Sequence, residues 1–137
     1  YRWAGEYSQA IPMLVKKILD NDGEIEIWGS GNQRRSYLHA TDCAHAIVEI
    51  AKLEHHGSPI NIGTNDTISL MELAKTICRL SGKTPVLRVN PRMPEGRSVK
   101  SSNMSQLLKT LPDFSPKIGL EEGLLRMLRW YEGTCPS

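Results

Sequence analysis

Several absences narrow this chain before any motif is considered. No apolar run approaches the roughly 20 residues a membrane-crossing helix needs, so no membrane association is expected. Charge is nearly balanced: 17 Lys and Arg against 15 Asp and Glu leave a net +2. That excess is too slight to hold a nucleic-acid backbone or an anionic lipid surface, so neither is expected as a partner. Cys43, Cys78 and Cys135 are an odd number without metal-like spacing. Cys43 and Cys78 fall within helical patterns and read as small buried hydrophobes, which points to a reducing, cytoplasmic setting. The adjacent His55 and His56 read as solvated loop residues rather than metal ligands. There are no internal repeats and no low-complexity tracts.

What is present is ordinary for one globular unit. The chain has 137 residues, 39% hydrophobic and 23% charged, enough for a modest core. Residues Ser8 to Leu19 carry Ile11, Leu14, Val15 and Ile18 at helical spacing, and Asn21-Asp22-Gly23 stops that helix. Ile25 and Ile27 alternate with Glu24 and Glu26, the pattern of a half-buried strand. Thr41 or Asp42 is expected to cap a second helix with Ala44, Ile47, Val48 and Ala51 inward. Ile60-Asn61-Ile62 reads as a short strand. Ser69 and Glu72 form a capping box for a helix ending near Leu80, with Gly82 as its stop. Val86 to Val89 reads as another strand, and Asn90 to Gly96, with its prolines and glycine, as irregular. Asn103 with Gln106 is expected to open a short helix closed by Pro112. A last helix from Leu120 to Glu132 buries Leu124, Leu128 and Tyr131.

The run Trp28-Gly29-Ser30-Gly31-Asn32-Gln33-Arg34-Arg35-Ser36-Tyr37-Leu38-His39-Ala40-Thr41-Asp42 is the most informative stretch. A strand enters a glycine-bracketed turn, and two arginines follow. Glycines let backbone approach a ligand closely, and an arginine beyond them offers a planar fork for phosphate oxygens. On chemistry alone the run is equally a hairpin with a solvated basic tip.

This run resembles the C-terminal signature of the extended short-chain dehydrogenase/reductase family, in its nucleotide-sugar epimerase and dehydratase branch. The family's Arg falls on Arg35 and its closing Asp on Asp42. Pro59 to Gly63, Ser69 to Ala74, Pro94-Glu95-Gly96 through Lys100 to Asn103, and Leu120 to Leu124 with Trp130-Tyr131 resemble later family segments, in the family's order. The resemblance implies an α/β fold: the C-terminal substrate-binding lobe of an NAD(P)-binding, Rossmann-type enzyme. The family's Gly-x-x-Gly-x-x-Gly turn and its catalytic Tyr-x-x-x-Lys do not occur here. Residues 1–137 are therefore expected to be the C-terminal, nucleotide-sugar-binding portion, with NAD or NADP held by an N-terminal half outside it and no catalytic residue within it.

The resemblance also implies a set of substrate contacts. Arg35 would bind the diphosphate, with Lys100 of the Pro-Glu-Gly-x-x-x-Lys loop second. Lys17 and Gln33 match nucleotide contacts of a GDP-mannose epimerase, and Trp28 would wall the site. Asn103 stands where many members have Asp. Gln9 stands where the family's second acid, His or Lys, is found. An amide does not titrate usefully near neutral pH, so Gln9 would orient sugar hydroxyls rather than deliver a proton. The expected activity is NAD(P)-dependent epimerisation or dehydration of a nucleoside diphosphate sugar through redox chemistry at carbon 4, by a homodimer. A GDP-fucose-synthase-type epimerase/reductase is the alternative, favoured by Leu111-Pro112-Asp113-Phe114 and opposed by Gln9. A non-catalytic nucleotide-sugar-binding module is the third reading.

Overall fold

The structure, a computed structural model, describes residues 9–53 and 58–134. Two small sheets and five helices follow in the order α1 (Ala10–Asp20), β1 (Glu24–Trp28), β2 (Arg34–Arg35), α2 (Ala40–Ala51), β3 (Ile68–Ser69), α3 (Leu70–Ser81), β4 (Val86–Asn90), β5 (Val99–Lys100), α4 (Ser105–Thr110) and α5 (Leu120–Thr134). The α/β class expected from the sequence is the one observed. None of the described helices is long and apolar enough to cross a membrane.

One core serves α1, β1, α3 and α5. Leu14, Val15 and Ile18 of α1 meet Ile25 and Ile27 of β1, with Leu73, Ala74 and Ile77 of α3 and Leu124, Leu128 and Tyr131 of α5. These are the residues that helical and alternating spacing marks as inward, because each element buries a single face. The capping box of α3 is formed: Ser69 Oγ accepts from Glu72 N at 3.1 Å, and the Glu72 carboxylate accepts from Ser69 N at 2.9 Å. Gly82 ends the helix in the left-handed region, φ +72°.

β1 and β4 pair in parallel, from Glu24 beside Val86 to Trp28 beside Asn90. The second sheet has the order β3-β2-β5, with β3 antiparallel and β5 parallel to the central β2. The residues expected to bind phosphate lie on this second sheet.

Five sequence expectations are corrected. Ile60-Asn61-Ile62 is not a strand, because no described segment pairs with it and a strand exists only through pairing. The helix of residues 40–51 does not turn Ala44, Ile47, Val48 and Ala51 inward. Ile47 and Val48 are 54% and 53% exposed, and the buried positions are Asp42 and Ala46. Its cap is neither Thr41 nor Asp42: His39 takes that place, and its Nδ1 accepts from Thr41 N at 3.2 Å. Asp42 instead accepts from Ile118 N at 3.0 Å, tying α2 to the segment before α5. Finally, α4 is capped by Met104 without a side-chain bond, while Asn103 Oδ1 accepts from Ser105 N and forms a local turn. Cys43 and Cys78 are half-buried rather than buried. The expectations for Ser8, for His55 and His56, and for Cys135 lie outside the described residues.

Candidate functional site

The two consecutive arginines of β2 have different surroundings. Arg34 is held inside the fold: Nε donates to Thr67 Oγ1 at 3.1 Å, Nη2 to Thr67 O at 2.6 Å and Nη1 to Glu72 at 3.2 Å. Arg35 donates from Nη1 to the carbonyls of Arg34 (2.7 Å) and Arg97 (2.8 Å). Among the described residues no carboxylate pairs with it, and no acceptor meets its Nε or Nη2. Alternation of side chains along a strand explains the difference, since neighbours point to opposite faces.

Parallel pairing sets Lys100 of β5 in register with Arg35. Residues in register on adjacent strands share a face of the sheet. Lys100 is exposed and likewise has no ion pair among the described residues. The fold thus brings together two cations that are 65 positions apart in the chain, while the other basic residue of this strand is neutralised within the fold.

A second grouping surrounds Trp28. The ring is 46% exposed at the end of β1, and Lys17 Nζ sits 5.7 Å from its centroid, a cation–π distance. Gln33 is 6% exposed and donates from Nε2 to Trp28 O at 2.8 Å. Its Oε1 is buried without a hydrogen-bond partner. A buried unsatisfied acceptor costs on the order of 1–3 kcal/mol. Gln9 is exposed at the N-cap of α1, with a side chain that makes no capping bond.

The glycine turn differs from its sequence reading. Gly29 and Gly31 have φ of +73° and +77°, as a tight turn of this kind requires. What approaches the turn is not open space for a ligand but Glu95: its carboxylate accepts from Ser30 N at 3.1 Å and from Ser30 Oγ at 2.9 Å. The role of Glu95 was not legible in the sequence, although Pro94-Glu95-Gly96 marked its loop. With this carboxylate on its amide, the turn does not suit the pyrophosphate of a dinucleotide.

A cavity of about 390 Å³ lies elsewhere, between the segment Tyr37–Ala40 and α5 with its approach, and has Ile11, Leu124, Met127 and Trp130 in its walls. It holds none of the expected phosphate contacts. Burial pushes the Tyr37 phenol above its usual range, against the opposing effect of Arg35. Among the described residues no group of His, Cys, Asp and Glu could hold a metal ion.

Residues 1–63 match the NAD dependent epimerase/dehydratase family. A putative GDP-L-fucose synthase 2 of Oryza sativa subsp. japonica is 29% identical over 133 residues, covering 92% of this chain and 37% of that protein. A GDP-L-fucose synthase of Sinorhizobium fredii is 32% identical over 123 residues, covering 87% and 38%. The structure of a dTDP-glucose 4,6-dehydratase from Bacillus anthracis, in complex with NAD, superposes with a TM-score of 0.76 at 26% identity, covering 96% of this chain and 42% of that one. These matches agree in making the chain similar to the nucleotide-sugar epimerase/dehydratase branch of the extended short-chain dehydrogenase/reductases. The chain spans less than half the length of these relatives.

Proposed function

We propose that residues 1–137 form the C-terminal, nucleotide-sugar-binding portion of an NAD(P)-dependent epimerase or dehydratase. The observation that carries this reading is the pairing of Arg35 with Lys100. Like charges side by side on a sheet destabilise it, so the arrangement favours an anion lying across both. A nucleoside diphosphate sugar supplies such an anion in its diphosphate. Trp28, Lys17 and Gln33 would border the nucleotide. Gln9 would orient sugar hydroxyls and, being an amide, would transfer no proton.

NAD or NADP would supply the hydride chemistry at carbon 4. The residues here do not fit a dinucleotide, since the one glycine turn of suitable form is closed by Glu95. The cofactor is assigned to a part of the enzyme that this chain does not span, and what these residues contribute is charge neutralisation and orientation. The names of the relatives, GDP-L-fucose synthases and a dTDP-glucose dehydratase, support a nucleoside diphosphate sugar as ligand. A GDP-fucose-synthase-type reductase is the second reading, which Gln9 opposes. A cytoplasmic homodimer is part of the proposal: the homodimer rests on the resemblance, the cytoplasmic setting on the cysteine usage.

The test is Arg35→Ala in the protein as it occurs, with sugar-nucleotide and NAD(P) affinities measured by calorimetry. Loss of a charge-assisted contact should weaken sugar-nucleotide binding by about 2 kcal/mol, roughly 30-fold, with NAD(P) affinity retained. Unchanged sugar-nucleotide affinity would overturn the assignment of this strand.

A further inference from the structure

Among the described residues, the backbone of the loop that carries Lys100 makes no strand pairing between Asn90 and Ser98. From there on β2 holds it: Arg34 N donates to Ser98 O at 2.7 Å, and Val99 and Lys100 pair with Arg34 and Arg35. Its earlier part is tied down at one side chain, Glu95, which accepts two hydrogen bonds from Ser30. The next residue, Gly96, takes φ +73°, and the one after, Arg97, offers the carbonyl that receives Arg35 Nη1. The guanidinium lies against Gly96, where an added Cβ would stand 3.6 Å from Nη2. The turn itself is shaped to admit Glu95: a Cβ on Gly29 would come within 2.7 Å of Glu95 Cβ. Glycine at position 29 is therefore required by a carboxylate of the same chain.

We propose that Glu95 is a positioning residue for the diphosphate site: by clamping its loop to Ser30 it fixes the Arg97 carbonyl that orients Arg35. This deepens the nucleotide-sugar reading and rests on it. The proposal has a sign that simple electrostatics does not share. A carboxylate near an anion site repels the anion, so on charge alone its removal would tighten binding. A clamp predicts weaker binding, because Arg35 loses the support that preorganises it. Gln is nearly isosteric with Glu and can keep both contacts, with its carbonyl accepting from Ser30 N and its amide donating to Ser30 Oγ.

Dissociation constants for GDP, UDP and dTDP would be measured by calorimetry on the protein as it occurs and on Glu95→Ala and Glu95→Gln, alongside NAD(P) affinity. The expected result is that Glu95→Ala weakens nucleoside diphosphate binding about tenfold, the equivalent of one lost supporting contact, while Glu95→Gln stays within about threefold and NAD(P) affinity does not move. A residue that merely stabilised the fold would weaken both ligands together and show no rescue by Gln. Tighter binding in either variant, wild-type binding in Glu95→Ala, or equal losses in both would overturn the clamp and leave the nucleotide-sugar reading standing. If the wild-type protein bound none of the three nucleotides, the nucleotide-sugar reading would fall and the clamp with it. Should Glu95→Ala not fold, Ser30→Ala removes the hydroxyl contact to Glu95, together with the local bond from Asn32 N at 3.1 Å, keeps the Ser30 N contact, and should weaken binding about threefold; unchanged binding there would equally overturn the clamp.

Discussion

At the scale of single residues, identical side chains take different work from their surroundings. Arg34 and Arg35 differ by one position, and strand alternation sends one into a web with Thr67 and Glu72 and leaves the other its Nε and Nη2 donors. Glu72 in turn serves both the α3 capping box and Arg34. The Ser69 backbone N–H holds the Glu72 carboxyl below its usual 4.5, with smaller help from the Ser69 hydroxyl and Arg34. A carboxylate whose folded-state value is depressed stabilises the fold fully above its unfolded value, and that stability is lost as pH falls through the folded value. Glu72→Gln should therefore lower the thermal midpoint at pH 7 and flatten its decline below pH 4.5. Thermal unfolding across that range checks this, and a parallel decline in both proteins would refute it.

At the scale of elements, glycines in the left-handed region separate two causes. Gly82 ends α3 at φ +72° with open space around a hypothetical Cβ, whereas Gly29 at φ +73° would meet Glu95. Gly82→Ala should cost about 1 kcal/mol through backbone strain alone. Gly29→Ala should cost about 1–3 kcal/mol more, since the Glu95 loop must shift as well. Urea denaturation of both variants measures the difference, and equal losses would mean that the loop yields without cost. The same scale shows why helical periodicity misled at α2. Ile47 and Val48 have the spacing of an inward face, but the face that packs is the one holding Asp42 and Ala46, fixed by the bond from Ile118 N to Asp42.

For the whole molecule, stability resides in the core shared by α1, β1, α3 and α5. Ile77 of α3 is fully buried there. Ile77→Ala should cost about 2–5 kcal/mol, from lost burial and the cavity left behind. Val48→Ala, on the uncovered face of α2, should stay within about 0.5 kcal/mol, as surface changes do. Chemical denaturation of the two variants compares them, and a loss above about 1 kcal/mol at Val48 would show that this face is covered in the protein as it occurs.

Some of this was fixed locally and so was readable in advance. The faces of α1 and α5, the alternation in β1, the Ser69–Glu72 box and the Gly82 stop depend on residues within a turn or two of one another, where spacing and capping chemistry decide. The irregular segment followed from its prolines and glycine in the same way, although it starts at Pro91, since Asn90 closes β4 beside Trp28. What needed the tertiary structure was every feature set by a distant partner. Ile60-Asn61-Ile62 has strand-like residues and no strand to pair with, so no sheet forms there. Asp42 looked like a helix cap until Ile118 placed it. Arg35 and Lys100 were separate motifs in the chain, and only the parallel register of β2 and β5 makes them one site. The glycine turn announced a close approach, but which group approaches it, Glu95 rather than a ligand, was decided by a loop 65 residues away in the chain. Local chemistry sets which conformations each segment prefers, whereas pairing and charge proximity exist only once the chain has folded back on itself.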